Sequence, residues 1–324
     1  MMSPSIIDVA IVGGGPAGLS AAVWLGRYLH SVVLVDSGDP RNWETRGIHG
    51  YLGLPDITPA ELRGRGRDEA RAYGARLIDG CVNTVERVSD EHFRLTLEDE
   101  TVIESRRLLL AIGIKDYWPQ VPGLSQCYGV TAHHCPDCDG FEARGQKTVV
   151  IASGRSAVGM ALSLATWTRQ IVICTNGHAP DINDDNLDKL DALDIPVLTE
   201  SIARALVDAN GTVTGLELAN GFVLDCQQIF FSLGHYPADD LAAQLGCERD
   251  DEQLVIIDAR YHTSVPNVFA AGDIVPGPHL AIAAASDGAM AALSIHHSLL
   301  PEGLQLDPPA RRYAAREPGL EVRG

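Results

Sequence analysis

Cys135 and Cys138, separated by Pro136 and Asp137, are the residues of this sequence whose types and spacing most plainly carry chemistry. A lone CxxC outside a disulfide framework serves either thiol–disulfide redox chemistry or half of a tetrahedral metal site. The metal alternative needs further ligands. There is no second CxxC, and His133 and His134 sit too close on the same short segment to complete a tetrahedron without a distant partner. Redox chemistry is therefore the favoured reading, and no metal is expected. The other five cysteines (Cys81, Cys127, Cys174, Cys226 and Cys247) are scattered and expected to be buried structural thiols.

The segments that must position the pair read as two nucleotide-binding βαβ units. In the first, an apolar strand from Ile6 to Val12 runs into Gly13-Gly14-Gly15-Pro16-Ala17-Gly18. A helix of small and apolar residues follows, then a strand from Val32 that ends on Asp36. In a GxGxxG turn Gly13 permits the tight bend, Gly15 lets a pyrophosphate approach the backbone, and Gly18 lets helix and strand pack closely. The helix start offers free N–H groups to phosphate, and Asp36 can accept hydrogen bonds from a ribose.

The pattern returns at 147–174 in degraded form. A strand from Lys147 to Ile151 leads into Ala152-Ser153-Gly154-Arg155-Ser156-Ala157, with a helix expected over Val158 to Trp167 and a strand over Ile171 to Cys174. Ala152 replaces the first glycine, and Thr175-Asn176-Gly177-His178 stands where an acid would close the second strand. Two readings stay open: a unit kept for its fold alone, or altered nucleotide binding. Between the copies, residues 81–113 alternate polar and apolar as an antiparallel meander would, ending in an apolar strand from Leu108 to Ile112. Further strands are expected over 212–218, 222–224, 228–233 and 267–273, then a helix over Leu280 to Leu299. Residues 301–324 read as a tail.

The 324 residues, 45% hydrophobic and 21% charged, suffice for two domains with their own cores. A net charge of −18 opposes binding to a phosphate backbone, so no nucleic-acid partner is expected. No apolar run approaches the roughly 18 residues of a membrane span, and the N-terminus lacks a leader pattern; a soluble, cytoplasmic protein is expected.

The order of GGGPAG, Ala111-Ile112-Gly113, Cys135-Pro-Asp-Cys-Asp-Gly140, a second dinucleotide fold and Phe269-Ala-Ala-Gly-Asp273 resembles low-molecular-weight thioredoxin reductase over nearly the whole chain. The resemblance implies an α/β fold of two Rossmann-like three-layer dinucleotide-binding domains, the second inserted into the first. Residues 1–116 and 243–324 would bind FAD, and 117–242 would form the pyridine-nucleotide-like insert carrying the thiols. Cofactor contacts would come from Gly13, Gly15, Pro16, Ala17, Gly18, Asp36, Asn42, Gly113, Gly272, Asp273, Ala281 and Ile282, with Asp273 on the ribityl chain. Cys138 would lie nearest the flavin, Cys135 would exchange with the substrate disulfide, and Asp139 would protonate the leaving thiolate. The partner would be thioredoxin or a small disulfide or dithiol, and the assembly a homodimer.

The chain departs from that pattern where typical members carry a His-Arg-Arg segment gripping the 2′-phosphate of NADPH. Cys174-Thr-Asn-Gly-His178 has no arginine to supply the bidentate guanidinium. Electrons are therefore expected from another donor, such as ferredoxin. The segments at 36–42, 49–50 and 283–292 also resemble the small dithiol oxidases, which would pass electrons to oxygen. Those enzymes usually place histidine after the second cysteine, so Asp139 favours the reductase branch. His133 and His134 are candidates for a proton relay, His279 for a cofactor contact, and Tyr313 for an aromatic that covers the flavin if nicotinamide does not bind.

Overall fold

The computed structural model describes residues 6–304. The first unit begins with β1 (Ile7–Val12), α1 (Pro16–Arg27) and β2 (Val32–Asp36), followed by α2 (Pro59–Ala72) and β3 (Arg76–Asp79). β1 and β2 are almost entirely buried, as parallel strands covered on both faces must be. The meander follows as β4 (Val82–Ser89), β5 (His92–Leu97) and β6 (Val102–Leu110). β6 returns parallel to β1, so the path β3-β2-β1-β6-β5-β4 is parallel at one end and antiparallel at the other.

A short strand β7 (Ile114–Asp116) leads out of this sheet, and the turn α3 (Leu124–Cys127) leads into the second unit. Its elements are β8 (Ala132–His133), α4 (Pro136–Asp139), β9 (Thr148–Ala152), α5 (Gly154–Leu164), β10 (Ile171–Cys174), α6 (Asp184–Asp191) and β11 (Val197–Leu198). The meander β12 (Ile202–Val207), β13 (Val213–Leu218) and β14 (Val223–Leu224) precedes β15 (Gln228–Ser232), which completes the parallel sheet β11-β10-β9-β15-β8. β16 (His235–Pro237) pairs antiparallel with β7, so outgoing and returning chain lie side by side. The turn α7 (Leu241–Gln244), β17 (Val268–Ala270) and α8 (Ala281–Leu299) then rejoin the first unit, with β17 parallel to β6. The first sheet thus draws on residues before and after the second, giving two Rossmann-like layers with one nested in the other.

Close packing of α1 on its neighbours depends on missing side chains. A Cβ on Gly18 would stand 1.9 Å from the Gly13 carbonyl oxygen, and one on Gly288 of α8 would stand 1.9 Å from that of Ala17. Neither is tolerable beside backbone.

Most expected elements lie where the pattern put them, whereas α2, α6 and β12 were not anticipated. The helix of the second unit starts at Gly154 and ends at Leu164, earlier at both ends than expected. Ser153 is extended as a helix cap should be, and the Trp167 and Thr168 N–H groups close the last turn onto the Leu164 carbonyl. Among the cysteines, Cys81 is only partly buried, whereas Cys127, Cys174, Cys226 and Cys247 are buried as expected. Burial pushes the thiols of Cys127 and Cys226 up to about 11 and about 12, which makes them inert. Among the described residues no helix is long and apolar enough to cross a membrane. Tyr313 and the 305–324 tail lie outside the described residues.

Candidate active site

One cleft runs from the start of α1 to the CxxC segment, and all but one of the residues expected to hold the cofactor or act on the disulfide line it. Gly13, Gly15, Pro16 and Ala17 form one end, beside Asp36 and Asn42. Gly113, Gly272 and Asp273 form the floor, and Ala281 and Ile282 of the α8 start form one wall. Cys135, Cys138 and Asp139 close the far end. Gly18 is the exception: it lies beneath the turn, against Gly13.

The glycine turn suits a diphosphate. Gly13 adopts φ +106°, where a Cβ would also strike the Ala111 carbonyl oxygen at 2.1 Å. A Cβ on Gly15 would meet nothing within 4 Å, so open space lies over the helix start. No side chain caps α1 and Pro16 occupies its first turn, which leaves its N–H groups for an anionic ligand.

Asp36 is 5% exposed and bound by two arginines of α2. Its Oδ2 accepts from Arg63 and, at 3.0 Å, from Arg67 Nη1, while Oδ1 accepts from the Gly38 N–H. Neither arginine was legible as a site residue, because α2 is a polar surface helix by composition. The expected ribose acceptor is therefore held rigidly in place before any ligand arrives.

The middle of the cleft holds a charge cluster centred on Arg41. Its guanidinium bridges Asp116 through two hydrogen bonds of 2.6 and 2.7 Å and reaches Asp273 at 3.3 Å. Burial works against the Arg41 charge, but the two carboxylates outweigh it and its pKa is raised. The same contacts lower Asp116 despite its burial. Arg41 had no signal beyond its place in the segment shared with Asn42, and Asp116 had none. His134 lies 3.9 Å from Asp116, its Nδ1 2.7 Å from the Tyr128 hydroxyl. Burial and the nearby Arg41 push His134 down to about 4, so it is neutral at physiological pH. His279 lines the cleft beside His235; burial lowers its pKa, and its Nε2 is buried without a hydrogen-bond partner.

Cys135 and Cys138 form a disulfide across α4, with Cα atoms 5.3 Å apart. Cys135 is extended and caps the turn, so the Cys138 N–H points at its Sγ at 3.1 Å. Asp139 follows directly, with His133 Nδ1 3.4 Å from one carboxylate oxygen and His49 Nε2 3.8 Å from the other.

The second unit has a cleft beside the α5 start, lined by Arg155, Pro180, Asp181 and Asn183, and part of the helix start is already engaged there. The Gly154 N–H donates to the Pro180 carbonyl at 2.7 Å, so the chain's own loop lies over the α5 start. A Cβ on Gly154 would come within 4 Å of the Asp181 backbone and carboxylate oxygens. The stretch after β10 is tied internally as well. Thr175 donates to the His178 carbonyl at 2.5 Å, and Asn176 Oδ1 accepts from the Ile202 N–H at 2.8 Å.

Residues 7–288 match the profile of the pyridine nucleotide-disulphide oxidoreductases. The chain belongs to that family. Within it, the chain is 30% identical to a thioredoxin reductase of Claviceps purpurea, covering 84% of this chain and 88% of that one. It is 28% identical to a thioredoxin reductase of Rickettsia bellii over 88% and 96%. Among solved structures, HlmI superposes with a TM-score of 0.87 at 33% identity over 92% of this chain and 94% of that chain. The thioredoxin reductase TrxB of Bacillus anthracis superposes at 0.84 and 30% identity over 90% and 98%. This family of FAD enzymes accounts for the cleft: the residues that line it from Gly13 to Ile282 fit the extended dinucleotide the family binds. The chain is a thioredoxin reductase-like flavin oxidoreductase.

Proposed function

We propose that the chain is a thiol–disulfide oxidoreductase that moves electrons between FAD and a substrate disulfide through Cys135 and Cys138, without NADPH. The observation that carries this reading is the disulfide lying in the same cleft as the open α1 start. FAD, when bound there, supplies two-electron chemistry to the pair. Gly13, Gly15 and the α1 N–H groups hold its diphosphate, Asp36 its ribose, and Asp273 its ribityl chain. Cys138 faces the cofactor and Cys135 meets the substrate. The Cys138 N–H aimed at the Cys135 sulfur favours a thiolate there. Asp139 protonates the thiolate that leaves the substrate disulfide. The substrate is thioredoxin or a small disulfide.

Two features support independence from NADPH. The Pro180 carbonyl occupies the helix-start N–H that a diphosphate would take, and the Asp181 carboxylate adds repulsion. The internally bonded 175–178 stretch offers no guanidinium for a 2′-phosphate. A ferredoxin-class protein is then the donor. The same closure favours a second reading, in which a dithiol is oxidised and electrons pass to oxygen. Anaerobic photoreduction followed by oxidised thioredoxin or hydroxyethyl disulfide tests the assignment. Reoxidation of the flavin in the wild type and its loss in Cys138→Ser are expected. Persistence of the reduced flavin in the wild type contradicts the reductase, and oxygen consumption driven by a small dithiol identifies the oxidase.

A further inference from the structure

His133 stands two residues before the pair, buried at 6% exposure, on β8, while Asp139 stands just after the pair on α4. The tautomer of His133 follows from its neighbours. Its Nε2 lies 3.2 Å from Gln228 Oε1. Gln228 Nε2 donates to Gln146 Oε1 at 3.0 Å, and Gln146 Nε2 donates to the Glu142 backbone carbonyl at 3.2 Å. A backbone carbonyl can only accept, so it orients the Gln146 amide, which orients the Gln228 amide in turn. Gln228 therefore offers an acceptor to His133, and the imidazole carries its proton on Nε2. Its Nδ1 faces the Asp139 carboxylate at 3.4 Å. In that tautomer Nδ1 turns a lone pair toward the carboxylate, and a proton between the two, on Asp139 or on Nδ1, would turn the facing acceptors into a donor–acceptor pair.

We infer that His133 and Asp139 form a one-proton pair, with His133 the positioning residue that stores at Asp139 the proton given to the leaving thiolate. The inference rests on the exchange role proposed above for Cys135 and Cys138. In the reductive direction the Cys135 thiolate attacks the substrate disulfide. Its S–S bond breaks, the departing sulfur takes the pair's proton, and a mixed disulfide with Cys135 forms. Cys138 then attacks Cys135, expels the second substrate sulfur with the Cys138 proton, and restores the disulfide. Two electrons leave the dithiol and two protons leave with the two product thiols. In reverse, the pair receives the proton. Other groups also face this pair. His49 approaches the second Asp139 oxygen at 3.8 Å and is itself held by Asp56 and Glu142. His134 is adjacent and neutral, and Phe230 covers the His133 ring, with centroids 5.2 Å apart. Unlike His49, His133 and Asp139 belong to the segment that carries the thiols.

The leaving group separates this role from a structural one. An aryl thiolate such as that from 5,5′-dithiobis(2-nitrobenzoate) departs without a proton, whereas the alkyl thiolate from hydroxyethyl disulfide needs one. Photoreduced holoenzyme is mixed with each disulfide in single turnovers from pH 6 to 10, using the wild type, His133→Gln, His133→Phe and Gln228→Glu. Expected for both His133 variants is a loss roughly tenfold to hundredfold greater with the alkyl than with the aryl disulfide. For Gln228→Glu, a carboxylate facing the Nε2–H holds the proton more tightly and moves the alkaline decline of the alkyl rate up by about one pH unit. Equal losses with the two disulfides, or an alkaline decline unmoved in all three variants, overturn the pair. Failure of the wild type to reduce either disulfide overturns the exchange role instead. Melting curves and the flavin spectrum identify any variant that misfolds, and the remaining two decide.

Discussion

The two βαβ units share a fold and differ in what lies over the helix start. In the first, Gly15 opens onto free space and no side chain caps α1. In the second, the Pro180 carbonyl takes the Gly154 N–H, and a buried Ala157 stands at the position equivalent to Gly18. The same βαβ fold thus presents an open helix start in one unit and a helix start engaged by the chain's own loop in the other. The second unit does a mechanical task, because β8 and α4 hold Cys135 and Cys138 on the edge of its sheet, beside the first unit's cleft.

The largest effect that could break the comparison lies at the equivalent glycine and alanine. Gly18→Ala is expected to abolish FAD retention and soluble folding, since its Cβ would strike the Gly13 carbonyl. Ala157→Gly should keep full flavin content and cost only about 1 kcal/mol in denaturant unfolding, from helix propensity. Equal tolerance at both positions would erase the distinction.

Next comes the Arg41 charge cluster of the first cleft. Arg41→Met leaves Asp116 and Asp273 facing each other in a largely buried site. A loss of about 3–5 kcal/mol by urea titration is expected.

His134 gives a smaller, pH-dependent effect. Its pKa falls from an ordinary 6.5 to about 4 on folding. Between those values the unfolded chain binds the proton that the folded chain excludes, so stability falls as pH drops through this window. Above it there is no contribution. The full cost below pH 4 is roughly 3 kcal/mol. His134→Gln should remove that part of the acid destabilisation in melts taken from pH 7 to 4.

The smallest expected effect comes from reopening the second site. Asp181→Lys exchanges repulsion for attraction at the α5 start, but the Pro180 carbonyl remains. Calorimetry should find NADPH binding no tighter than about 1 mM.

Much of the first unit was legible because its constraints are steric: only glycine fits at 13 and 18, and only buried apolar runs make β1 and β2. The thiol pair was legible from spacing. Arg41, Asp116, Arg63 and Arg67 were not, since each takes its partner from a distant segment and none sits in a recurring motif. Ile202–Val207 carries no alternation and is a strand because Val213–Leu218 pairs with it. The closure by Pro180 was equally hidden, because a backbone carbonyl leaves no trace in residue type.

The account's central claim is that the second unit no longer delivers electrons from a nicotinamide. Anaerobic stopped-flow mixing of the oxidised holoenzyme with excess NADPH tests it directly. Flavin absorbance that stays at the oxidised level, while photoreduced enzyme still reacts with a disulfide, is the predicted result. Bleaching of the flavin within seconds, saturating with NADPH concentration, would contradict it.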